Sequence, residues 1–337
     1  MAGRVTITDV AREAGVSVAT VSKVINGRDG IAQGTAAHVR AVVQRLGYEQ
    51  SIVARSLRSH QTHVIGVLVA EFEPFSTEIL KGAGAALADT EYALLAYTGG
   101  GSGRAGWERR YLTRLSGTLI DGAVLVTPTL LDPDGDIPVV AVDPHAGPGG
   151  LPTVDSENLN GALLATRHLI GLGHRRIGFL GGRADLESSR LREAGYRQAL
   201  AEAGIATDPA LVRVAEYQRD GADRPTAALL ALPDPPTALF AANDLSAMGI
   251  LDTARRLGVR VPEDLSVVGF DDIPESAATD PPLTTVRQDL RRLGGAAVEL
   301  LLRMLDGTDP HPDHVRLPTT LILRASTARR DRPAPTA

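Results

Sequence analysis

Three groups of residues in this chain have types and spacings that permit chemistry. The first is positive charge gathered near the N-terminus. Through residue 60 there are eight Lys or Arg (Arg4, Arg12, Lys23, Arg28, Arg40, Arg45, Arg55 and Arg58) against four acids (Asp9, Glu13, Asp29 and Glu49). That segment carries +4, leaving −9 for residues 61–337 within an overall −5. A small basic module on an acidic body suits a polyanion partner at one end. The second group is the run "GSGRAG" at 101–106, which has the glycine spacing of a dinucleotide-phosphate cradle, with Asp121 twenty residues on. It follows the second apolar run rather than the first, and Asp121 begins an apolar run where a ribose-binding acid would end one. We read these glycines as a surface loop. The third is "HPDH" at 311–314, read as a hairpin or loop between domains. There is no nucleophile elbow, Walker loop or metal-spaced His cluster, and the absence of Cys excludes disulfides and thiolate metal sites. The expectation is a protein that is not an enzyme and holds no metal or cofactor.

The elements that position these groups change character near residue 60. The first 60 residues read as short helices. Thr8 or Asp9 can cap a first helix whose inner face is Val10, Ala11 and Ala14. Gly15 suits a tight turn. Ser17 can cap a second helix with Val18, Val21, Val24 and Ile25 at helical spacing, ended by Asn26-Gly27. Ala11, Gly15 and Val21 have helix-turn-helix spacing: a small residue admits the second helix, Gly turns the chain, and a β-branched residue locks the pair. A third helix is expected from about Thr35 to Leu46. From His63 onward, apolar runs such as "HVIGVLVA", "YALLAYT", "DGAVLVT", "IPVVAVD", "RIGFLGG", "TALFAAN" and "LSVVGFDD" alternate with amphipathic helical windows. Continuous apolar runs between helices mean parallel strands covered on both faces. There are two such series, before and after about residue 157, and "HVRLPTTLILRAS" would return one strand to each. No run of 18 apolar residues and no signal-peptide pattern occurs, so a cytoplasmic protein with no membrane partner is expected.

The segments "TITDVAREAGVSVATVSKVIN", "LGY" at 46–48, "VARSLR" at 53–58, "LGHRRIGFLGG" at 172–182, "RLREAGY", "AANDLSAMG", "LSVVGFDD", "PPLTTVRQD" and "LPTTLILRAS" occur in order across nearly the whole chain. In this the sequence resembles the lactose-repressor (LacI/GalR) family of bacterial transcription regulators. The resemblance implies that the second helix enters a DNA major groove. Thr8, Ser17, Val18, Ala19, Thr20, Ser22, Lys23, Asn26, Thr35 and Tyr48 would then lie at DNA. Val18 and Ala19 fall at base-reading positions, where they can touch a thymine methyl but cannot donate to purines; Lys23 can donate to guanine O6 and N7. Thr20, Ser22 and Asn26 suit phosphate contacts. The segment 51–58 matches a hinge helix that folds on the operator. There Leu57 would wedge into the minor groove, with Ser51, Ala54 and Arg58 beside it. Gln50-Ser51 stands where the family has Pro-Asn, and Ala32 where it has a Ser or Thr cap, for which Thr35 can substitute.

The implied architecture is α/β: an N-terminal all-α helix-turn-helix head (1–50), a hinge helix and linker (51–61), and a periplasmic-binding-protein-like regulatory domain (62–330). That domain would hold two doubly wound parallel-sheet subdomains facing each other across a cleft, at about 62–156 with 289–318 and about 157–285 with 319–330. Residues 331–337 would be a disordered tail. Arg192, Asn243 and Asp271 match effector-contacting positions of the family, Gln288 and Leu290 lie near the crossover, and Asp143 is a looser match. Phe75 or Phe72 could form the platform under a sugar ring, whereas Asp244 and Asp272 read as structural. The implied partners are double-stranded palindromic operator DNA, a second copy of the chain in a homodimer, and a small-molecule effector, a sugar before a nucleoside or purine. The polar tail lacks leucine heptads, so a tetramer is not expected.

Overall fold

The computed structural model describes residues 5–48, 61–99, 106–116, 119–129, 137–308 and 313–330. The chain separates into two compact units, one running to Thr62 and the other from His63 onward. The hinge segment with Ser51, Ala54, Leu57 and Arg58 lies outside the described residues, as do the 331–337 tail and residues 101–105 of the glycine run.

The first unit holds α1 (Ile7–Ala14), α2 (Val18–Ile25) and α3 (Gln33–Leu46). The cap of α1 is Thr6, two residues before Thr8 and three before Asp9. Its hydroxyl accepts from the Asp9 amide while the Asp9 carboxylate accepts from the Thr6 amide, a reciprocal capping box. Thr8 and Asp9 are therefore inside the helix. Gly15 takes the left-handed φ of 64° that the turn requires, and Ser17 caps α2 as expected. Thr35 does not cap α3: the helix starts two residues earlier, and Ala32 at its N-cap offers no side-chain acceptor. Val10, Ala11, Ala14, Val21, Val24, Val39 and Val42 are the buried core of the three helices.

The second unit contains two six-stranded sheets. The first lobe is built on β1 (Val64–Val69), β2 (Ala93–Thr98), β3 (Gly122–Val126), β4 (Val139–Val142) and β5 (Thr153–Ser156), with β11 (His314–Leu317) at its edge in the order 11-5-4-3-1-2. The second lobe is built on β6 (Ile177–Gly181), β7 (Val212–Val214), β8 (Ala238–Ala241), β9 (Ser266–Asp271) and β10 (Thr284–Gln288), with β12 (Thr319–Ile322) at its edge in the order 12-10-9-8-6-7. Among the described strands, every pairing is parallel except β10 with β12. Helices α4 (Pro74–Leu87), α5 (Trp107–Leu115), α6 (Asn158–Gly171), α7 (Glu187–Glu202), α8 (Asp223–Leu230), α9 (Asp244–Leu257) and α10 (Leu290–Leu305) connect them. β1, β3, β4, β6, β8 and β9 are buried along their whole length, as their unbroken apolar runs require. The chain passes between lobes after β5, between β10 and α10, and between β11 and β12. No described helix is long and apolar enough to cross a membrane.

Candidate functional site

In the head, α2 divides its residues sharply. Val21 and Val24 are buried, while Val18, Ala19 and Lys23 are exposed, Val18 at 40%. Val18 stands at the first position of the helix and Lys23 in its last turn, both on the face turned away from the core. The Ser17 hydroxyl accepts from the Thr20 amide at 3.1 Å and lies 2.9 Å from the Thr20 hydroxyl, tying the two short polar groups together. Asn26 donates through Nδ2 to the Ser22 carbonyl at 2.6 Å. Lys23 forms no ion pair among the described residues. Thr8 is exposed in the first turn of α1; Thr35 is half-buried in α3, and Tyr48 packs half-buried on the head core.

In the second unit, backbone strain marks one end of the sheets. Of the seven non-glycine residues with positive φ among the described residues, six follow the C-terminal ends of strands: Thr127 after β3, Asp143 after β4, Glu216 and Tyr217 after β7, and Asp271 with Asp272 at β9. Left-handed backbone at non-glycine residues is costly and persists where surrounding structure enforces it, commonly at ligand sites. Strand C-termini are also where open α/β sheets bind ligands.

The side chains there converge on one guanidinium. Arg192 in α7 is 3% exposed. Its Nε donates to Asn158 Oδ1 at 2.9 Å, its Nη1 donates to the Ala242 carbonyl at 2.5 Å, and Nη1 lies 3.5 Å from Asp271 Oδ1. Its flat face lies over the Phe270 ring at 3.9 Å and 5.7 Å from the Tyr217 ring centre. Asp271 also accepts from Gln288 Nε2 at 2.7 Å. Burial pushes the Asp271 carboxyl up to about 7, against the opposing pull of Arg192 and Gln288. Asp143, contributed by the first lobe, is raised by burial as well, although Arg192 and the neighbouring Ser188 and Asn158 side chains favour its charge. So Asp143, Arg192, Asp271 and Gln288 meet between the lobes. Asn243 is committed locally: Oδ1 caps α9 through the Ser246 amide and Nδ2 donates to the Tyr217 carbonyl, both at 3.0 Å. Leu290 is buried in the first lobe's core, and Phe75 packs half-buried against it, while Phe72 is 54% exposed. Asp244 accepts from Thr285 and the Ile273 amide, and Asp272 pairs with Arg287 and Arg324.

Three residues at this site escape the sequence reading: Asn158, Ser188 and Tyr217. Tyr217 has the clearest signal available, being one of only six Tyr and standing just past an apolar run. Its hydroxyl is buried near the Ser188 side chain without a well-formed hydrogen bond among the described residues. Gly182 makes room for the ring, since a Cβ there would lie 2.3 Å from its carbons. Gly182→Ala is therefore expected to displace Tyr217. Effector affinity should drop about tenfold, the worth of one aromatic contact, while operator affinity without effector stays unchanged; calorimetric titration of both variants checks this.

Two family models match the chain. Residues 6–51 match bacterial regulatory proteins of the lacI family, and residues 166–327 match the periplasmic binding protein-like domain. The HTH-type transcriptional repressor PurR of Photobacterium profundum is 36% identical over 333 residues, which cover 95% of this chain and 98% of that protein. Among solved structures, a complex of the transcriptional regulator CelR with cellobiose superposes with a TM-score of 0.72 at 33% identity, over 96% of this chain and all of that one. The lac repressor dimer bound to operator and the anti-inducer ONPF superposes with a TM-score of 0.84 at 28% identity, over 97% of this chain and all of that one. A basic helix-turn-helix head, a two-lobed body with a polar cleft, and likeness along the full length agree: the chain belongs to the lacI family of bacterial regulatory proteins and is a DNA-binding transcriptional repressor.

Proposed function

We propose that this repressor controls genes of carbohydrate uptake or catabolism and is released from a palindromic operator by a sugar or small oligosaccharide bound between its lobes. The observation that carries the reading is the buried cluster of Arg192, Asp271 and Gln288, with half-buried Asp143 and the Tyr217 ring and its poorly bonded hydroxyl beside it. Planar polar groups paired with an aromatic face suit hydroxyl pairs on a sugar ring. The cellobiose complex of CelR supports the same class of ligand. A nucleoside or purine acting as effector or corepressor is the second reading, favoured by the likeness to PurR. A thermal-shift screen of sugars against nucleosides, followed by operator gel shifts with each hit, decides between them. Binding to nucleosides alone would displace the sugar reading.

The chain acts as a homodimer in this proposal, because one recognition helix covers only a few base pairs and a palindrome needs two. The operator-bound dimer of the lac repressor supports that assembly. Residues 1–50 read the half-site, 51–61 carry the hinge with Leu57 as the minor-groove wedge, and 62–330 bind effector and partner. Within α2, Lys23 donates to a guanine edge while Val18 and Ala19 make apolar contacts. Lys23→Ala should cost about 1–3 kcal/mol on specific sites and relax preference at one symmetric position per half-site. Selection from randomised duplexes measures both; an equal loss on specific and random DNA would move Lys23 to the phosphates.

A further inference from the structure

We propose that Arg28 grips a DNA phosphate beside the base edge that Lys23 reads, so that the end of α2 holds the duplex with two cations rather than one. This rests on α2 being the face turned to DNA.

The way α2 ends fixes the place of Arg28. Gly27 takes the left-handed φ of 62°. Its amide donates to the Val24 carbonyl at 3.3 Å, and the Arg28 amide donates back to the Lys23 carbonyl at 2.9 Å. This closure is a Schellman motif, which brings together the residues at its two outer positions, commonly through apolar side chains. Here both positions are cationic, Lys23 and Arg28, and both are exposed. Like charges held side by side repel, so stability alone does not account for the pair.

The structural uses of a cation at a helix end are taken by other groups. Lys and Arg side chains can bond the last carbonyls of a helix, but those of Lys23 and Val24 already accept from the closing amides. The Ser22 carbonyl accepts from the Asn26 amide at 3.1 Å and from Asn26 Nδ2 at 2.6 Å. Nor do the acids of the head supply partners. Asp9 is held by Arg12 and by the cap of α1, and Glu13 pairs with Arg45 at 2.9 Å. Asp29, next to Arg28 in the chain, makes no ion pair among the described residues.

Two neighbouring cations with no protein partner fit a polyanion. Arg28 stands past the last turn of α2, at the opposite end from Val18 and Ala19. Base edges are met from the first turns of a recognition helix, so a side chain beyond its last turn meets the backbone at the groove wall. The planar guanidinium fork matches two phosphate oxygens at once.

The test titrates the full chain and its variants against the duplex that the parent selects from a randomised pool and against a random duplex, at about 50 to 200 mM salt. Arg28→Ala should weaken binding to both by an equal factor, about tenfold per subunit bound, and flatten log K against log salt by about 0.9 per subunit. Its selected sequence and melting temperature should match the parent's, and Arg28→Lys should restore the slope. A changed base preference in Arg28→Ala, an unchanged slope, or a slope that Arg28→Lys does not restore each overturns the phosphate contact. Arg40 is the control, equally exposed on α3 and joined to α2 by none of these bonds. An equal flattening in Arg40→Ala would show only an effect of net charge and overturn the contact as well. If Lys23→Ala and Arg28→Ala both leave binding untouched, α2 is not the DNA face and that reading fails. An effect of Lys23→Ala without one of Arg28→Ala overturns the assignment of Arg28 alone.

Discussion

Asp271→Ala is expected to abolish the effector response while operator affinity without effector stays within about twofold of the parent. The carboxylate accepts from Gln288, beside the crossover into α10, and is ion-paired at 3.5 Å with Arg192, in the second lobe. Its loss removes a hydroxyl acceptor at a point where the chain passes between lobes. A ten- to hundredfold release of operator needs only about 1.4–2.7 kcal/mol of coupling between effector and DNA. Losing one buried charged hydrogen-bond partner is worth that much, so the response should disappear completely rather than weaken. The head is a separate compact unit with its own core, which is why DNA binding itself survives. Operator titrations with and without effector give the answer, and a normal response in Asp271→Ala would remove Asp271 from the site.

The same residue makes stability depend on pH in an unusual direction. Unfolded, its carboxyl ionises near 3.8; folded, near 7. Between those values the folded chain keeps a proton that the unfolded chain has released. Stability therefore falls as pH rises from about 4 to about 7, by at most on the order of 1 kcal/mol per pH unit for one such group, and levels above that. Asp143 and Asp244 are displaced the same way and contribute with the same sign. Asp271→Asn keeps an acceptor for Gln288 and cannot ionise. Its melting temperature should decline less steeply over this range than the parent's, even as its effector response is lost.

Much of this is legible in the residues because local chemistry and tertiary role coincide. The apolar runs of β1, β3, β4, β6, β8 and β9 are buried on both faces, so period and length alone reveal them. β5 is not legible: "TVDS" is mostly polar, and its burial comes from Arg316 and His314 on the adjoining β11, far away in sequence. The α1 cap is ambiguous because Thr6, Thr8 and Asp9 all have capping side chains, and only the reciprocal bonds of Thr6 and Asp9 choose among them. Arg192, Asp271 and Gln288 stand out through their motifs, and Asp143 only as a looser match. Tyr217 does not, since it depends on a left-handed loop and a glycine on another segment.

The largest effect on DNA binding is expected from the least polar position in α2. Val21 is fully buried and packs among only six other buried residues from three short helices. A unit this small buries little surface and is stable by only a few kcal/mol. Val21→Asp would place a carboxylate in that core with no cation there to pair with, a cost of at least about 3 kcal/mol even if the group protonates. That exhausts the margin, so the head unfolds and specific operator affinity falls by about a thousandfold or more, to the level of non-specific contact or below. Bound operator recovers part of the loss, since a ligand that binds only the folded head pulls it back by mass action, and the deficit should shrink as operator concentration rises. The two-lobed unit has separate cores of its own. Its melting transition and its effector affinity should therefore match the parent's in the same variant. Calorimetry on the full chain resolves this directly: loss of a head transition with the main one unmoved is the expected trace, and a downward shift of the main transition would show that the head's fold is not independent.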